Sequence, residues 1–236
     1  MANAWDHPLI RKGMPAQLAK RRARIAAGER PLGWKLGLGA PATMQRVGIE
    51  APLIGYLMQR ALLLSGSTAS LAGWRKPLAE PEIAVRMLRD LPGGTTADAA
   101  LAAIKDIFPA IELVDFDPVP TPDNLDAVLE GDIFQRHVVL CGNTRFGGST
   151  AGLTSRVFHR GAETAVSTDP EALTGKLPDI VAHVANLLAA FGEKLAAGDV
   201  IIAGSITPPI AIEADETAFT HAIEPIGEVS VNFSRD

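Results

Sequence analysis

KPLAEPEIAVRM, running from Lys76 to Met87, reads as a β-strand whose two faces differ in kind. Side chains alternate along a strand, so Glu80, Glu82, Ala84 and Arg86 share one face while Ile83, Val85 and Met87 share the other. Two acids on one face stand about 7 Å apart along the strand. Like charges there repel unless a cation lies between them. A half-exposed strand with a polar outer face produces the same pattern, as is common in antiparallel sheets. Pro81 cannot donate to a ladder, which puts the pair at a strand start, an edge or a bulge, where pairing stops and a site can open.

The next acid of interest lies in PAIELVDFD, residues 109–117, where Glu112 stands between apolar neighbours on both strand faces. A buried carboxylate is costly unless it is paired or bound to a cation. Glu112 therefore needs either a Lys or Arg partner or a metal. Three glutamates with no His or Cys at ligand spacing favour a hard divalent cation, Mg²⁺ or Mn²⁺ ahead of Ca²⁺, and disfavour zinc.

Around these strands the chain alternates element types in a way that predicts a single α+β domain, residues 31–236, preceded by a helical arm, residues 1–30. Helices are predicted over Pro15–Ala27, PATMQRV (41–47), TTADAALAAIKDIF (95–108), DNLDAVLEGDIF (123–134) and Pro178–Ala197. LGWKLGLG (32–39) and ALLLSG (61–66) read as short strands, and from Arg136 the texture turns β-rich. DVIIAG, PPIAIEA, TAFTHAI and GEVSVNF follow one another closely, which predicts a curled or barrel-like antiparallel sheet.

Composition narrows the function classes. With 236 residues, 47% hydrophobic and 21% charged, the chain has the material for a sizeable core. The net charge is −5 and no Lys/Arg block is long enough to track a phosphate backbone, which argues against nucleic acid. KRRAR (20–24) reads as the solvated face of an amphipathic helix. No apolar run approaches the ~20 residues that span a bilayer. The start lacks the order of a signal peptide, and one cysteine, Cys141, permits no internal disulfide, so a cytoplasmic protein with no membrane partner is expected.

Taken together, GWKLGLG, AEPEIA, AIELVD, AAGDVIIAGSIT and IGEVSVNF resemble the fumarylacetoacetate hydrolase superfamily, nearest its 2-oxopent-4-enoate hydratase and 4-oxalocrotonate decarboxylase branch. The order and spacing agree from about Gly33 to Phe233, and the E-x-E pair with a later Glu before LVD is the most specific part. The resemblance implies a mixed β-roll or barrel-like fold that binds Mg²⁺ (or Mn²⁺) through Glu80, Glu82 and Glu112, acts on short 2-oxo or 2-hydroxydienoic acids, and assembles into homo-oligomers. The family's G-aromatic-K segment falls on Lys35, which partial desolvation beside a metal would tune downward for proton transfer, and the late-strand hydroxyl falls on Ser205. Ser205 and Thr207 are then placed to hydrogen-bond the substrate carboxylate, and Asn143 to line the pocket.

Two departures stand out. The branch's Asp-aromatic-Gly pattern is replaced by APLIGYL, with Leu53 and Ile54 where an acid is expected, which leaves Glu50 and Asp115 as substitutes. The arm before Lys35 is also short for the branch. A hydratase is the first expectation, followed by a decarboxylase of vinylogous 2-oxo diacids, with Arg145 or Arg86 to hold the second carboxylate. An acylpyruvate-type C–C hydrolase and a non-catalytic partner subunit come after these. CGNTRFGGSTAG (141–152) lacks G-K-[ST] and reads as a loop, no G-x-S-x-G elbow surrounds Ser149 or Ser205, and the five histidines show no metal-pair spacing.

Overall fold

The computed structural model describes residues 4–236. Its helices are α1 (Pro8–Ala26), α2 (Pro41–Val47), α3 (Ala97–Leu101), α4 (Leu125–Glu130) and α5 (Leu177–Ala190). Its first strands are β1 (Pro31–Gly37), β2 (Leu53–Met58), β3 (Leu62–Leu64), β4 (Thr68–Ser70), β5 (Pro77–Met87), β6 (Ile104–Asp115) and β7 (Gln135–Leu140). The later ones are β8 (Arg145–Phe146), β9 (Thr154–His159), β10 (Ala162–Ser167), β11 (Val200–Ser205), β12 (Ile210–Ala211), β13 (Ala218–Glu224) and β14 (Gly227–Ser234).

The larger sheet runs β2-β1-β11-β5-β6-β7-β3, with β12 beside β5 and β8 beside β6; the smaller runs β10-β9-β13-β14-β4. Pairing is mixed, since β1 meets β11 and β3 meets β7 in parallel while β5 and β6 form a long antiparallel pair. The chain is thus the α+β, curled half-barrel that the segment order implied.

The two faces of β5 go to different cores. Ile83, Val85 and Met87 pack with Val181, Val184 and Leu188 of α5 and with Ile10, Met14 and Leu18 of α1. Nearer the other end, Ala79, Ile111 and Leu113 meet Phe219, Val229 and Val231 of the smaller sheet. The opposite face holds Ala84, Ala110, Ile202 and Leu57, and on that face stand the glutamates. Pro81 sits where β5 changes partner. The register with β11 slips between Ile202 and Ser205, β12 takes over at Ile210, and the Ile206 N–H donates to the Pro81 carbonyl at 2.8 Å. This is the break a proline requires.

Several predicted elements differ. The helix over 95–108 is only Ala97–Leu101, because Ile104–Phe108 extends β6 against β5, with Met87 opposite Ile104; tertiary pairing overrides helix propensity there. The long helix stops at Ala190, where Gly192 at φ 74 lets the Glu193 N–H reach back to the Leu188 carbonyl at 2.9 Å. The four late strands do not share one sheet, since β11 and β12 join the larger and β13 and β14 the smaller. In the basic cluster on α1, Arg21 is buried, stacked over Trp34 at 4.4 Å rather than solvated.

Candidate metal centre and its cavity

Glu80 and Glu112 stand directly opposite each other across the β5–β6 pair, and Glu82 lies one pleat along from Glu80 on the same face. The three offer carboxylate oxygens within 4.8 Å of one another. At such separations two unit charges repel by roughly 3 kcal/mol at an effective dielectric of about 20. The environment sharpens the conflict, because Glu82 and Glu112 are wholly buried.

Lys35 is the positive group among them. Its ammonium donates to the Glu112 Oε1 and, at 3.0 Å, to the Ile133 carbonyl. Lys35 is on β1 and Glu112 on β6, with β11 and β5 between them. On a flat sheet three strand steps are about 14 Å, and side chains stand roughly perpendicular to the sheet. The contact therefore requires the curl. Of the two options left open for Glu112, the structure shows the lysine partner: Lys35 takes one oxygen, while the Glu112 Oε2 has no hydrogen-bond partner among the described residues.

The same is true of Glu82. Its Oε2 accepts the Gly204 N–H at 2.7 Å while its Oε1 is buried and unpaired. One ammonium does not balance two buried carboxylates and a third at the cavity. Burial and then the Glu112 and Glu80 charges drive Glu82 well above the usual carboxylate range. Burial likewise raises Glu80 and Glu112, in both cases against the pull of Lys35. For Lys35 the expected downward shift is reversed: burial pulls it down, but the charges of Glu112, Glu80 and Asp132 more than offset that and hold it as an ammonium. An oxygen-only donor set with two orphaned buried oxygens fits a hard divalent cation.

Glu80 opens into a cavity of about 470 Å³. Its apolar wall includes Leu36, Leu38, Leu78, Phe116 and Leu173. Ser205 and Thr207 are on the rim where β11 leaves β5, and the buried Ser205 Oγ has no hydrogen-bond partner among the described residues. The Thr207 hydroxyl instead donates to the Pro208 carbonyl at 3.0 Å. Asn143 is not brought to the cavity; it is exposed and packs against Gly227, where an added Cβ would stand 2.5 Å from its Nδ2.

The proposed substitutes for the missing acid are otherwise engaged. Glu50 is exposed, and Asp115 accepts the Arg75 and Lys76 backbone N–H groups and Arg136, which hold its carboxyl low against burial. Arg86 and Arg145 do not line the cavity: Arg86 faces Asp106 at 3.6 Å and Arg145 donates to the Ala151 carbonyl. The cavity's cations are Arg46 on α2 and Lys76, neither with an ion-pair partner among the described residues. The sequence held a signal for Lys76, which precedes Glu80 by four residues in the run that reads as one strand. Asp132 was also missed. It is buried, its Oδ1 accepts the Tyr56 N–H at 2.8 Å, and burial pushes it up to about 7.

No family model matches the chain. It is 30% identical over 218 residues to the 2-hydroxyhexa-2,4-dienoate hydratase of Comamonas testosteroni, covering 90% of this chain and 82% of the relative. It is 29% identical over 225 residues to the 4-oxalocrotonate decarboxylase of Pseudomonas putida, covering 90% and 81%. Among solved structures, the 4-oxalocrotonate decarboxylase of Pseudomonas putida G7, complexed with magnesium and adipate, superposes with a TM-score of 0.82 at 25% identity over 92% of this chain and 83% of that one. The fumarylpyruvate hydrolase of Pseudomonas aeruginosa with Mn²⁺ and pyruvate shares the fold at a TM-score of 0.66 and 17% identity, covering 88% and 90%.

Proposed function

The chain belongs to the fumarylacetoacetate hydrolase superfamily, in its branch of hydratase and decarboxylase lyases, and on that premise we propose that it is a Mg²⁺- or Mn²⁺-dependent hydratase of short 2-hydroxydienoic acids. The observation that carries this reading is the convergence of Glu80, Glu82 and Glu112 on one point with two orphaned oxygens, beside a buried lysine and an open cavity. Glu80, Glu82 and Glu112 would hold a divalent cation there, which would supply Lewis acidity to a bound 2-oxo acid and offset the carboxylates that otherwise hold Lys35 as an ammonium. Lys35 moves the proton that addition to the diene requires, from a position fixed by the Glu112 and Ile133 oxygens. Ser205 donates to the substrate carboxylate, and the leucines and Phe116 pack its hydrocarbon and exclude water.

Calorimetric titration with Mg²⁺ and Mn²⁺ tests the centre. We expect one ion per chain, and at least tenfold weaker binding in Glu82→Gln; equal affinity in both proteins would sink the assignment. Ultraviolet loss of a 2-hydroxydienoate in Mg²⁺ buffer tests the activity.

The decarboxylase reading is kept alive by Lys76 and Arg46. Lys76 is in the bend just before β5 and lines the same cavity as Leu78 and Glu80. Phe116 lies opposite Lys76, which stands over its ring at 5.5 Å. A diacid held at one end beside Glu80 would run its hydrocarbon along Leu78 and meet Lys76 and Arg46 with its second carboxylate, since all four line one cavity. If the substrate carries a second carboxylate, Lys76→Met together with Arg46→Met lowers the diacid-over-monoacid ratio of kcat/KM at least tenfold; an unchanged ratio removes this reading. The hydrolase reading would need a group to activate water, and no histidine is among the described residues lining the cavity.

A further inference from the structure

Asp132, Ile133 and Phe134 have φ angles of 58°, 49° and 67°, three successive non-glycine residues in the left-handed region. A single such residue is uncommon and a run of three is retained only where the surroundings over-determine it. Here they do. The Asp132 N–H donates to the Leu129 carbonyl and the Ile133 N–H to the Val128 carbonyl, both at 2.9 Å, while the Phe134 carbonyl accepts the Asp115 N–H at 3.1 Å. The Ile133 side chain is buried, with its Cγ2 2.6 Å from where a Cβ on Gly37 would be. Gly55 is Lys35's direct partner across β1–β2, and a Cβ there would meet the Asp132 Oδ1 at 2.8 Å and the Lys35 Cγ at 2.9 Å. Two glycines thus clear the space in which the turn and the lysine stem lie together.

We propose that this left-handed turn is the positioning device for Lys35, and that Asp132 is its brace: the carboxylate ties the turn to the Tyr56 N–H of β2, and the braced Ile133 carbonyl then fixes the ammonium beside the three glutamates. The helix α4 ends one residue before Gly131, and Ile133 and Phe134 are residue types that take up left-handed backbone only rarely, so the turn needs support beyond its own sequence. An apolar residue would fill this buried space at lower desolvation cost than a carboxyl. That an acid is held there, driven up by burial and facing Lys35, Arg24 and Arg21, agrees with its being kept for what it holds.

The role of Lys35 in turnover rests on the lyase reading, whereas its placement does not, and the test separates the two. Asp132→Asn keeps an acceptor for the Tyr56 N–H. Asp132→Gly removes it while tolerating the left-handed backbone, with Asp132→Ala as the stand-in if the glycine variant does not fold. Acetylation of the metal-free proteins by an amine-reactive ester, followed by peptide mass spectrometry, reads the burial of Lys35. Lys35 should stay protected in the wild type and in Asp132→Asn and label at least tenfold faster in Asp132→Gly. In the ultraviolet assay the glycine variant should lose at least 30-fold in kcat with KM within threefold, and the asparagine variant should stay within threefold in both. Protection of Lys35 in the glycine variant overturns the proposal, and so does an asparagine variant that behaves like the glycine one. If the wild type consumes no 2-hydroxydienoate, the lyase reading falls and the labelling alone decides this one.

Discussion

Lys35 is 1% exposed and yet charged, which few lysines manage. Its ammonium answers to a carboxylate on β6 and a carbonyl on the left-handed turn, so it is oriented before any substrate arrives. Replacing it with Met should lower kcat by roughly 10²–10⁴-fold, the range for losing a general acid or base. Metal affinity, followed by calorimetry, should be unchanged or tighter, since a nearby positive charge is gone. Near wild-type turnover in Lys35→Met would remove its proton-transfer role. At this scale the sequence was informative wherever spacing alone implies proximity. Glu80 and Glu82 share a strand face by alternation, and Glu112 betrayed itself as an acid between apolar neighbours. Asp132 was hidden because it lies in a stretch that reads as helix, and Arg46 because only folding brings α2 to the cavity. Thr207 had the right chemistry but spends its proton on Pro208.

Among the elements, β13 shows how the two sheets are joined. His221 is fully buried; its Nδ1–H donates to the Ala110 carbonyl of β6, so its Nε2 accepts the Ser155 hydroxyl of β9, each at 3.0 Å. Burial pushes this imidazole down from 6.5 to about 4, which means the fold requires it neutral. A lowered histidine pKa gives stability that is whole above pH 6.5 and drains away as the pH falls toward 4. From this group alone the loss between pH 7 and pH 5 should be about 2 kcal/mol. Asp132 and the glutamates of the centre, raised by burial, act in the opposite direction. Urea unfolding of wild type and His221→Gln at the two pH values isolates it: the pH 5 minus pH 7 difference should be about 2 kcal/mol less unfavourable in His221→Gln, even though that variant is less stable at pH 7. Strand positions were legible from β-branched runs, as for β11, and α1 and α5 from their apolar residues at helical spacing. Their ends were not. The boundary between α3 and β6 is drawn by pairing with β5, a partner that a local window cannot contain.

For the molecule as a whole, the smaller sheet leaves β10 at one edge and β4 at the other, and Val166 on β10 is half exposed. Open edges invite pairing with another chain unless covered. Light scattering at micromolar concentration should therefore report an oligomer, at least a dimer, and a lone 24.9 kDa species would count against this. The class of fold was legible because segment order implies which strands exist, but the two-sheet partition was not, since it depends on which late strands turn inward. That partition also governs how the chain matures. Gly33 pairs with Val200, so most of the 236 residues lie between two neighbouring strands. On the ribosome, the β5–β6 hairpin can set Glu80 against Glu112 long before β11 emerges to seat β1 and its lysine. Like charges facing each other across a hairpin weaken it, and pairings this distant form slowly. A nascent or clipped chain ending before Val200 would carry the acids with Lys35 not yet seated beside them through β11, and regain of the cavity on refolding should keep pace with β1–β11 closure rather than with the earlier rise in strand content.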